Sequence, residues 1–416
     1  MFFNIIFFIY ALFYFPYLLL TGRWYKDYGC RLGIFPYLLS LRIGQEPKVW
    51  IHAVSVGEVM AISSLISQIK ARWPQHTIVL TVTTKTGYEL ARKKFWQQLI
   101  IIPSPLDFTW VVKYFVRVIK PRVYIAAETE IWPNLYNCLH KNAVPIVIIN
   151  GRISDRSFGR YLAVKFLFET VLHKVSYFSM QSQLDATRII ELGAPKDRVS
   201  TVGNIKFDDV SVVLEKQVEL PYPANLLIWI AGSTHPGEEE IVLNTFQNYR
   251  STCALVIAPR HVERSEELMI LVKSKGLKAI RYSQLMGEPL NSDTVIIVDT
   301  IGHLKALYAK ASFVFVGKSL CVGGGQNIIE PAFFGKPIIV GPMMENFRDI
   351  TALFKVEGAI IQIDEVDEYK ELFNEQVGRL VRDEQLRVQM GHRALAVVNA
   401  NQGALAKTLT LLEKWL

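Results

Sequence analysis

Three glutamates and one lysine in the first half of the chain have residue types that could accept a proton, form a polar site or, for the lysine, hold a phosphate. Glu58, Glu128, Glu130 and Lys206 each follow shortly after an apolar run of strand length. A glutamate near its ordinary pKa of about 4.3 is ionised at neutral pH and can take a proton from a hydroxyl group. We therefore interpret Glu58 as a candidate general base. The alternative is that it only interacts favourably with the dipole of the helix that it begins.

Glu128 and Glu130 form a second acidic feature. Both lie in the motif AETEIWPN (127–134), and alternation along an extended segment would place both side chains on one face. Two neighbouring carboxylates repel each other unless a cation or a substrate proton lies between them. The pair therefore predicts a polar site, with a solvated surface as the alternative.

The second half contains three segments suited to binding a nucleotide. In AGSTHPGEEE (231–240), a strand leads into a helix whose first backbone N–H groups can bind an anion. Arg260 follows the next strand and is suited to bidentate contacts with a phosphate. In GGGQNIIEP (323–331), the glycines let the backbone approach a ligand, and Asn327 and Glu330 are spaced to share a helix face. Together these segments predict a nucleotide site.

Several ligand-binding motifs are missing. No G-x-G-x-x-G follows the first apolar run and no G-x-x-x-x-G-K-[ST] occurs, which disfavours dinucleotide redox chemistry and P-loop hydrolysis. There is no Asp-x-Asp and no H-E-x-x-H, so a metal-held diphosphate is not indicated. We predict no cofactor and no bound metal.

Short apolar runs alternate with amphipathic helical patterns along the chain. The strands and helices that this pattern predicts must position the candidate site residues. Helix-length crossovers predict parallel sheets covered on both faces, whose ligands lie beyond the carboxyl ends of the strands. The sequence predicts an α/β protein with two doubly wound, Rossmann-like domains, at 23–208 and 226–416, joined by a linker at 209–225. The candidate strands are 49–55, 77–83, 99–105, 123–128, 146–151, 176–182 and 198–204, then 226–233, 252–260, 278–283, 294–300, 312–319 and 336–342.

Residues 1–22 carry no charge and are dominated by Phe, Ile, Leu and Tyr. A helix of ~20 such residues is long enough to cross a bilayer, and the cations Arg23, Lys26 and Arg31 follow it. We predict an N-terminal membrane anchor with the rest of the chain in the cytoplasm, because positive charge is retained on that side. A buried helix and a helix lying in one leaflet are the alternatives.

Length and charge narrow the function classes. The chain of 416 residues is longer than a single hydrophobic core usually supports, which predicts two domains. The four cysteines form no C-x-x-C pair, which argues against a zinc site held by thiolates. Residues 1–220 hold 26 Lys and Arg against 16 Asp and Glu, a net charge of +10, whereas residues 221–416 hold 20 against 22, a net charge of −2. A basic first half favours an anionic partner such as a lipid or a phosphorylated substrate. No aromatic stacking motif supports nucleic-acid binding.

The motifs taken together are specific enough to identify a resemblance. The chain is similar to the 3-deoxy-D-manno-octulosonic acid (Kdo) transferases of lipopolysaccharide biosynthesis, over residues 50–345 and in family order. The motifs that carry this resemblance are SVGE (55–58), AETEIWPN (127–134), NGRISDRS (150–157), GNIKFD (203–208), AGSTHPGEE (231–239), APRH (258–261) and GGGQNIIEPAFFGKP (323–337).

The resemblance implies a GT-B glycosyltransferase, in which two Rossmann-like domains face a cleft. It implies transfer of Kdo from CMP-Kdo to a lipid A precursor, with inversion at the anomeric carbon and without a metal, at the inner (cytoplasmic) membrane. It also implies residue roles. Glu58 matches the catalytic base, and Glu128 and Lys206 match residues that stabilise the transition state. The positions matching those that bind CMP are Pro259, Arg260, Ile301, Gly302, His303, Asn327, Ile328, Ile329 and Glu330.

One position departs from the family. Gly302-His303 stands where the family commonly has Gly-Glu, which leaves a side-chain role there open. Two other functions are compatible with the predicted fold: a nucleotide-sugar epimerase, which would not need residues 1–22, and a membrane-tethered nucleotide-binding module without catalytic activity. Fold alone does not decide between them.

Overall fold

The computed structural model describes residues 4, 27–34, 46, 48–208, 218–364 and 368–416, except for the side chain of Arg156. The chain forms two compact units. One comprises Met1–Asp209 together with Gln402–Leu416, and the other comprises Val210–Asn401.

The first unit is built on a parallel sheet of seven strands in the order β3-β2-β1-β4-β5-β6-β7. Each matches one of the predicted runs. The strands are β1 (Lys48–Ala53), β2 (Thr77–Val82), β3 (Ile100–Pro103), β4 (Pro121–Ala127), β5 (Ile146–Gly151), β6 (Tyr177–Met180) and β7 (Val199–Thr201).

Helices cover both faces of this sheet because its strands are apolar on both sides. Successive residues of β1 point to opposite faces, so Trp50 joins one buried cluster with Phe115 and Tyr124, while Val49 and Ile51 join another. The helices are α1 (Val56–Ala61), α2 (Ser63–Arg72), α3 (Lys85–Phe95), α4 (Thr109–Ile119), α5 (Pro133–Lys141), α6 (Asp155–Ala163), α7 (Lys165–Leu172) and α8 (Gln183–Glu191).

The second unit has the same construction, with a parallel sheet in the order β10-β11-β9-β8-β12-β13-β14. Its strands are β8 (Leu227–Thr234), β9 (Cys253–Pro259), β10 (Lys278–Arg281), β11 (Thr294–Ile297), β12 (Phe313–Val316), β13 (Ile338–Val340) and β14 (Ile360–Gln362). Six of them were predicted. The edge strand β14 was not, because three residues carry too little periodic signal.

The helices of the second unit enclose a core around Trp229, Phe313, Phe315 and Phe373. They are α9 (Glu238–Tyr249), α10 (Ser265–Ser274), α11 (Leu304–Lys310), α12 (Ile329–Phe333), α13 (Arg348–Val356), α14 (Tyr369–Arg382) and α15 (Glu384–Asn401). Within the predicted linker, the Tyr222 hydroxyl donates to the Leu255 and Thr294 carbonyl oxygens at 3.2 and 2.7 Å. That part of the linker therefore packs on the second unit.

The C-terminal helix α16 (Ala404–Leu412) differs from the prediction that residues 226–416 form one domain. Leu409 and Leu412 belong to a buried cluster of the first unit. The Asp208 carboxylate also accepts hydrogen bonds from the backbone N–H groups of Gly403 (2.6 Å) and Leu405 (2.8 Å). This helix belongs to the first unit because its apolar face is buried there, a contact between residues distant in sequence.

The predicted anchor at residues 1–22 lies outside the described residues, apart from Asn4. The Asn4 side-chain oxygen accepts hydrogen bonds from the Thr109 N–H and from Asn134 Nδ2, both at 3.1 Å. Among the helices that the structure describes, none is both long enough and apolar enough to span a membrane.

Candidate active site

Glu58 lies at the start of α1, where the chain turns from β1 into the helix. Ser55 is the N-cap residue, and its hydroxyl donates to Glu58 Oε1 at 3.0 Å. The Val54 N–H donates to Glu58 Oε2 at 2.6 Å. These two bonds orient the carboxyl group, which is 6% exposed. The sequence-based expectation of an exposed first-turn glutamate with an ordinary pKa is therefore wrong.

Burial changes the chemistry of Glu58. Desolvation and, to a smaller extent, the nearby Glu128 charge raise its pKa to about 7, although hydrogen bonds from Val54 and Ser55 oppose this shift. A carboxyl group with a pKa near neutrality is better matched to general-base catalysis than one that is always ionised.

Glu128 follows β4 directly, but it is not extended. Its φ is +58°, in the left-handed region that residues other than glycine rarely adopt. Alternation along an extended segment is therefore the wrong reason for its proximity to Glu130. The turn instead places Glu128 Oε1 3.7 Å from the Nζ atom of Lys206, a residue that follows β7.

Glu130 completes a group of three acidic side chains at this edge of the sheet. Burial, together with the charges of Glu58 and Glu128, raises its pKa to about 8. Neighbouring carboxyl groups that are largely desolvated disfavour each other's ionisation. The structure therefore brings Glu58, Glu128 and Glu130 close enough for their charges to interact.

Lys206 is positioned by an amide relay that sequence reasoning did not assign. Asn150, at φ +53°, accepts a hydrogen bond from the Ile205 N–H at 3.0 Å through its side chain. Its backbone carbonyl accepts from Gln181 Nε2 at 2.9 Å. Asn204 Oδ1 in turn accepts from the Lys206 N–H at 3.0 Å. The clue was the Asn150-Gly151 pair at the end of β5, because Asn and Gly are the residues that most readily adopt left-handed backbone.

In the second unit, the predicted nucleotide-binding residues follow neighbouring parallel strands. Pro259 ends β9, and Arg260 follows it with its side chain exposed and its backbone N–H donating to the Thr234 carbonyl at 3.0 Å. Ile301 is exposed, and Gly302 has a φ of +88°. Because the strands are parallel, these loops lie at the carboxyl edge of one sheet.

His303, at the departure from the family pattern, is held by its neighbours. Its Nδ1 lies 2.8 Å from the Thr300 hydroxyl, and its ring packs against Tyr282 with a centroid distance of 5.1 Å. The residue ends the loop that α11 follows.

The Asn327–Glu330 segment begins α12, but Asn327 precedes the helix. Its Oδ1 accepts from the Ile329 N–H at 3.0 Å and its Nδ2 donates to Glu330 Oε1 at 3.2 Å. The expectation that Asn327 and Glu330 share a helix face is therefore replaced by a turn that joins them directly. Ile328 and Ile329 are fully buried, so their side chains anchor the loop.

Glu238 is the other residue that sequence reasoning did not single out. Its buried carboxylate accepts four backbone N–H groups: His235 (2.9 Å) and Lys318 (2.8 Å) at Oε2, and Ser319 (2.8 Å) and Leu320 (2.9 Å) at Oε1. It therefore joins the loop after β8 to the loop after β12. In the described part of the chain, no three His, Cys, Asp or Glu side chains are arranged to hold a metal ion.

Comparison with known sequences identifies relatives. The family model of 3-deoxy-D-manno-octulosonic-acid transferases (kdotransferases) matches residues 26–209. A 3-deoxy-D-manno-octulosonic acid transferase of Haemophilus influenzae is 33% identical, over 88% of this chain and 87% of its own. A bifunctional glycosyltransferase/methyltransferase of Fusobacterium nucleatum is 35% identical over 78% of this chain, which spans about half (52%) of that relative.

Solved structures support the fold. MurG of Acinetobacter baumannii has a TM-score of 0.57 at 12% identity, covering 88% of this chain and 100% of its own. UDP-GlcNAc 2-epimerase of Neisseria meningitidis has a TM-score of 0.57 at 14% identity, with the same coverage. At these identities the likeness shows a GT-B-like fold and nothing about chemistry. The sequence relatives decide the family, and this chain belongs to the 3-deoxy-D-manno-octulosonic acid transferases, which are glycosyltransferases.

Proposed function

We propose that this protein transfers Kdo from CMP-Kdo to a hydroxyl group of a lipid A precursor in lipopolysaccharide biosynthesis, with inversion at the anomeric carbon. Membership of the Kdo transferase family supports the sugar and the reaction type. The observation that carries the mechanism is the Glu58 carboxyl group, which is buried, oriented by two hydrogen bonds and close to neutrality in pKa.

In the proposed step, the acceptor hydroxyl oxygen forms a bond to the anomeric carbon of Kdo. The bond from that carbon to the CMP phosphate oxygen breaks, and its electron pair leaves with CMP. Ionised Glu58 takes the hydroxyl proton as the new bond forms. Attack from the face opposite the leaving group inverts the anomeric centre.

Glu128 and Lys206 would stabilise charge and would not themselves form or break covalent bonds. Lys206 supplies positive charge beside the acidic group, and Glu128 contacts it at 3.7 Å. A fixed cation stabilises negative charge that develops in a transition state. Glu128 holds this cation in place and, as a neighbouring charge, helps to raise the Glu58 pKa.

For the donor, we assign CMP to Pro259, Arg260, the Ile301–His303 loop and Asn327–Glu330. Support comes from their common position after parallel strands of one sheet and from the exposed Arg260 side chain. CMP carries a single phosphate, so a cationic side chain can balance its charge without a divalent metal.

We also propose that residues 1–22 anchor the protein to the inner membrane with both units on the cytoplasmic side. The support is the uncharged segment, the cations that follow it and the net charge of +10 in the first 220 residues, which suits an anionic lipid acceptor. Removing residues 1–22 should shift the protein from membranes to the soluble fraction. Unchanged membrane partition would contradict the anchor.

The decisive experiment is mass analysis of the product after incubation with CMP-Kdo and a defined lipid A precursor. We expect the acceptor to gain the mass of one or more Kdo residues, and the count gives the number transferred. The control replaces the lipid with its hydroxyl-blocked analogue. Release of free Kdo without acceptor gain, or turnover of UDP-GlcNAc instead, would contradict the proposed function.

A further inference from the structure

Lys318 stands in an unusual backbone conformation in the second unit. It directly follows Gly317 after β12, and its φ is +60°. A side chain at positive φ is disfavoured, and residues held there cluster at ligand-binding sites. Something in the surroundings must therefore hold Lys318 in this geometry.

The buried Glu238 carboxylate holds it. Oε2 accepts from the Lys318 N–H at 2.8 Å, and Oε1 accepts from the N–H groups of Ser319 and Leu320. A Cβ on Gly317 would lie 2.7 Å from Glu238 Oε2, so only glycine allows this close approach. The carboxylate therefore fixes three consecutive peptide groups and the direction in which the Lys318 side chain leaves the backbone.

The Lys318 ammonium group lies against the glycine-rich loop. A Cβ built on Gly324 would be 3.4 Å from Lys318 Nζ, and the Gly325 N–H donates to the Lys318 carbonyl at 2.7 Å. That loop continues directly into Asn327–Glu330. The cation is thus placed beside the segment already assigned to the nucleotide.

Among the described residues, the Lys318 ammonium group forms no ion pair, and no carboxylate lies within 4.0 Å of its Nζ, although the residue is half-buried. The glycine-rich loop also contacts the Glu345 carboxylate, which accepts from the Gly324 N–H at 2.6 Å. Lys318 also lies near His235, which is in turn near His261. Burial lowers the pKa of His235, and the charges of Lys318 and His261 lower it further, against the Ser233 carbonyl and Glu238, which raise it.

We infer that Lys318 is a donor-binding residue that contacts an oxyanion of the sugar nucleotide, either the phosphate or the sugar carboxylate. This inference rests on the proposed function. A partly desolvated cation that forms no ion pair within the described residues is stabilised when an anion binds, and a lysine ammonium offers three donors to that anion. Arg260 follows β9 and Lys318 follows β12, and both strands pair with β8. The two loops therefore emerge at the same edge of the sheet, with β8 between their strands.

The test compares Lys318→Met, Lys318→Arg and Lys318→Gly with Lys273→Met, an exposed lysine near the end of α10. Binding of CMP and of cytidine is measured by calorimetry, and the KM for CMP-Kdo is measured with a fixed lipid acceptor. We expect Lys318→Met to weaken donor binding on the order of tenfold or more, as for loss of a charged hydrogen bond. Lys318→Arg should retain part of the affinity, and Lys273→Met should match the parent.

Lys318→Gly distinguishes a role of the ammonium group in donor binding from a role of the residue in stability. Glycine adopts positive φ without strain, so this variant should unfold at or above the parent temperature. It should nevertheless lose donor affinity as Lys318→Met does. A merely structural role predicts the opposite pattern, with donor affinity kept in the glycine variant.

The probes identify the anion. Loss of CMP binding together with a raised KM for CMP-Kdo assigns the phosphate, whereas unchanged CMP binding with a raised KM assigns the sugar carboxylate. Cytidine binding should not change in either case. Parent values of both Kd and KM in Lys318→Met would overturn the inference alone, while a parent protein that neither binds CMP nor turns over CMP-Kdo would overturn the proposed function with it.

Discussion

The two units place a buried glutamate at the same point of the same architecture but surround it differently. Each sheet begins with a central strand that leads into a helix, and a buried glutamate lies in the first turn of that helix: Glu58 after β1 and Glu238 after β8. Glu238 accepts four backbone N–H groups. Glu58 accepts one backbone N–H and one hydroxyl, and it faces the charge of Glu128.

The comparison shows that burial alone does not give a carboxylate its role. Four N–H donors satisfy the lone pairs of an ionised carboxylate, which makes it a rigid connector between loops. With two donors and like charges nearby, a proton competes for the group, which makes it suitable for proton transfer. The loops that surround each helix start therefore decide between structure and chemistry.

The largest effect should come from removing the proton acceptor of the first unit. Glu58→Gln keeps size and hydrogen-bonding capacity but cannot take a proton. We expect turnover to fall by about 10²- to 10⁴-fold, the usual contribution of a positioned general base, while CMP binding stays at the parent value. Steady-state rates and CMP calorimetry on the same preparation test this, with exposed Glu89→Gln on α3 as the control. Retention of more than about a tenth of parent turnover would remove Glu58 from this role.

Glu58→Gln should also change the pH dependence of the free energy of unfolding. Burial raises the folded-state pKa of Glu58 from 4.5 to about 7, so its contribution to folding is fully present below its unfolded pKa and is lost as the pH rises through 7. The loss amounts to up to ~3 kcal/mol at about 1.4 kcal/mol per pKa unit. Between pH 5 and pH 8, Glu58→Gln should therefore lose less stability than the parent in denaturant titrations. A parallel pH dependence would contradict the raised pKa.

The next largest effect belongs to the second unit. Arg260→Ala should weaken CMP binding by about tenfold to 150-fold, because a charged hydrogen bond to phosphate contributes ~1.5–3 kcal/mol. Affinity for the lipid acceptor should not change. Calorimetry with CMP measures this, and Arg379→Ala, exposed on α14, is the matched control. Equal CMP affinity of mutant and parent would exclude a phosphate contact.

Glu238→Gln tests the structural half of the comparison. An amide presents its NH₂ group to two backbone N–H donors that would lose their acceptor, and each buried unsatisfied group costs ~1–3 kcal/mol. We expect the melting temperature to fall by several degrees, whereas Glu375→Gln, exposed on α14, should leave it unchanged. A parent-like melting temperature in Glu238→Gln would show that the four bonds do not hold the loops.

A smaller effect should appear in the pH dependence of the rate. Protonation of Glu58 removes the base, so kcat/KM should fall as the pH drops below about 7. Glu128→Gln removes one charge that raises this pKa, and the acid limb should move to lower pH by a fraction of a unit to about one unit. An unshifted limb in rate profiles from pH 5 to 9 would show that Glu58 does not respond to Glu128.

The smallest effect should be that of a chelator. Because the acidic group of the first unit holds protons and faces Lys206, we expect turnover to persist in excess EDTA. Activity is assayed with acceptor solubilised in detergent. Loss of activity that Mg²⁺ restores would mean that these carboxylates bind a metal, and it would contradict the role in proton transfer that distinguishes the first unit from the second.

Much of the fold could be predicted from local pattern. Thirteen of the strands and both parallel sheets follow from buried apolar runs separated by helical segments, because burial on both faces demands uninterrupted apolar residues. The placement of Glu58 at a helix start and of Arg260 after a strand follows from the same pattern. Strand β14 could not be placed because it is only three residues long, and helix α16 could not be placed because its contacts are with residues distant in sequence.

The sequence by itself determined which residues can do chemistry and on which edge of each sheet they emerge. The tertiary structure alone decided what each of them does: Lys206 reaches Glu128 across 78 positions of sequence, Glu128 and Lys318 adopt left-handed backbone, and Glu58 and Glu238 receive different numbers of donors. The physical reason is that desolvation and Coulomb energies depend on the three-dimensional surroundings of a charge, and the local sequence does not contain them.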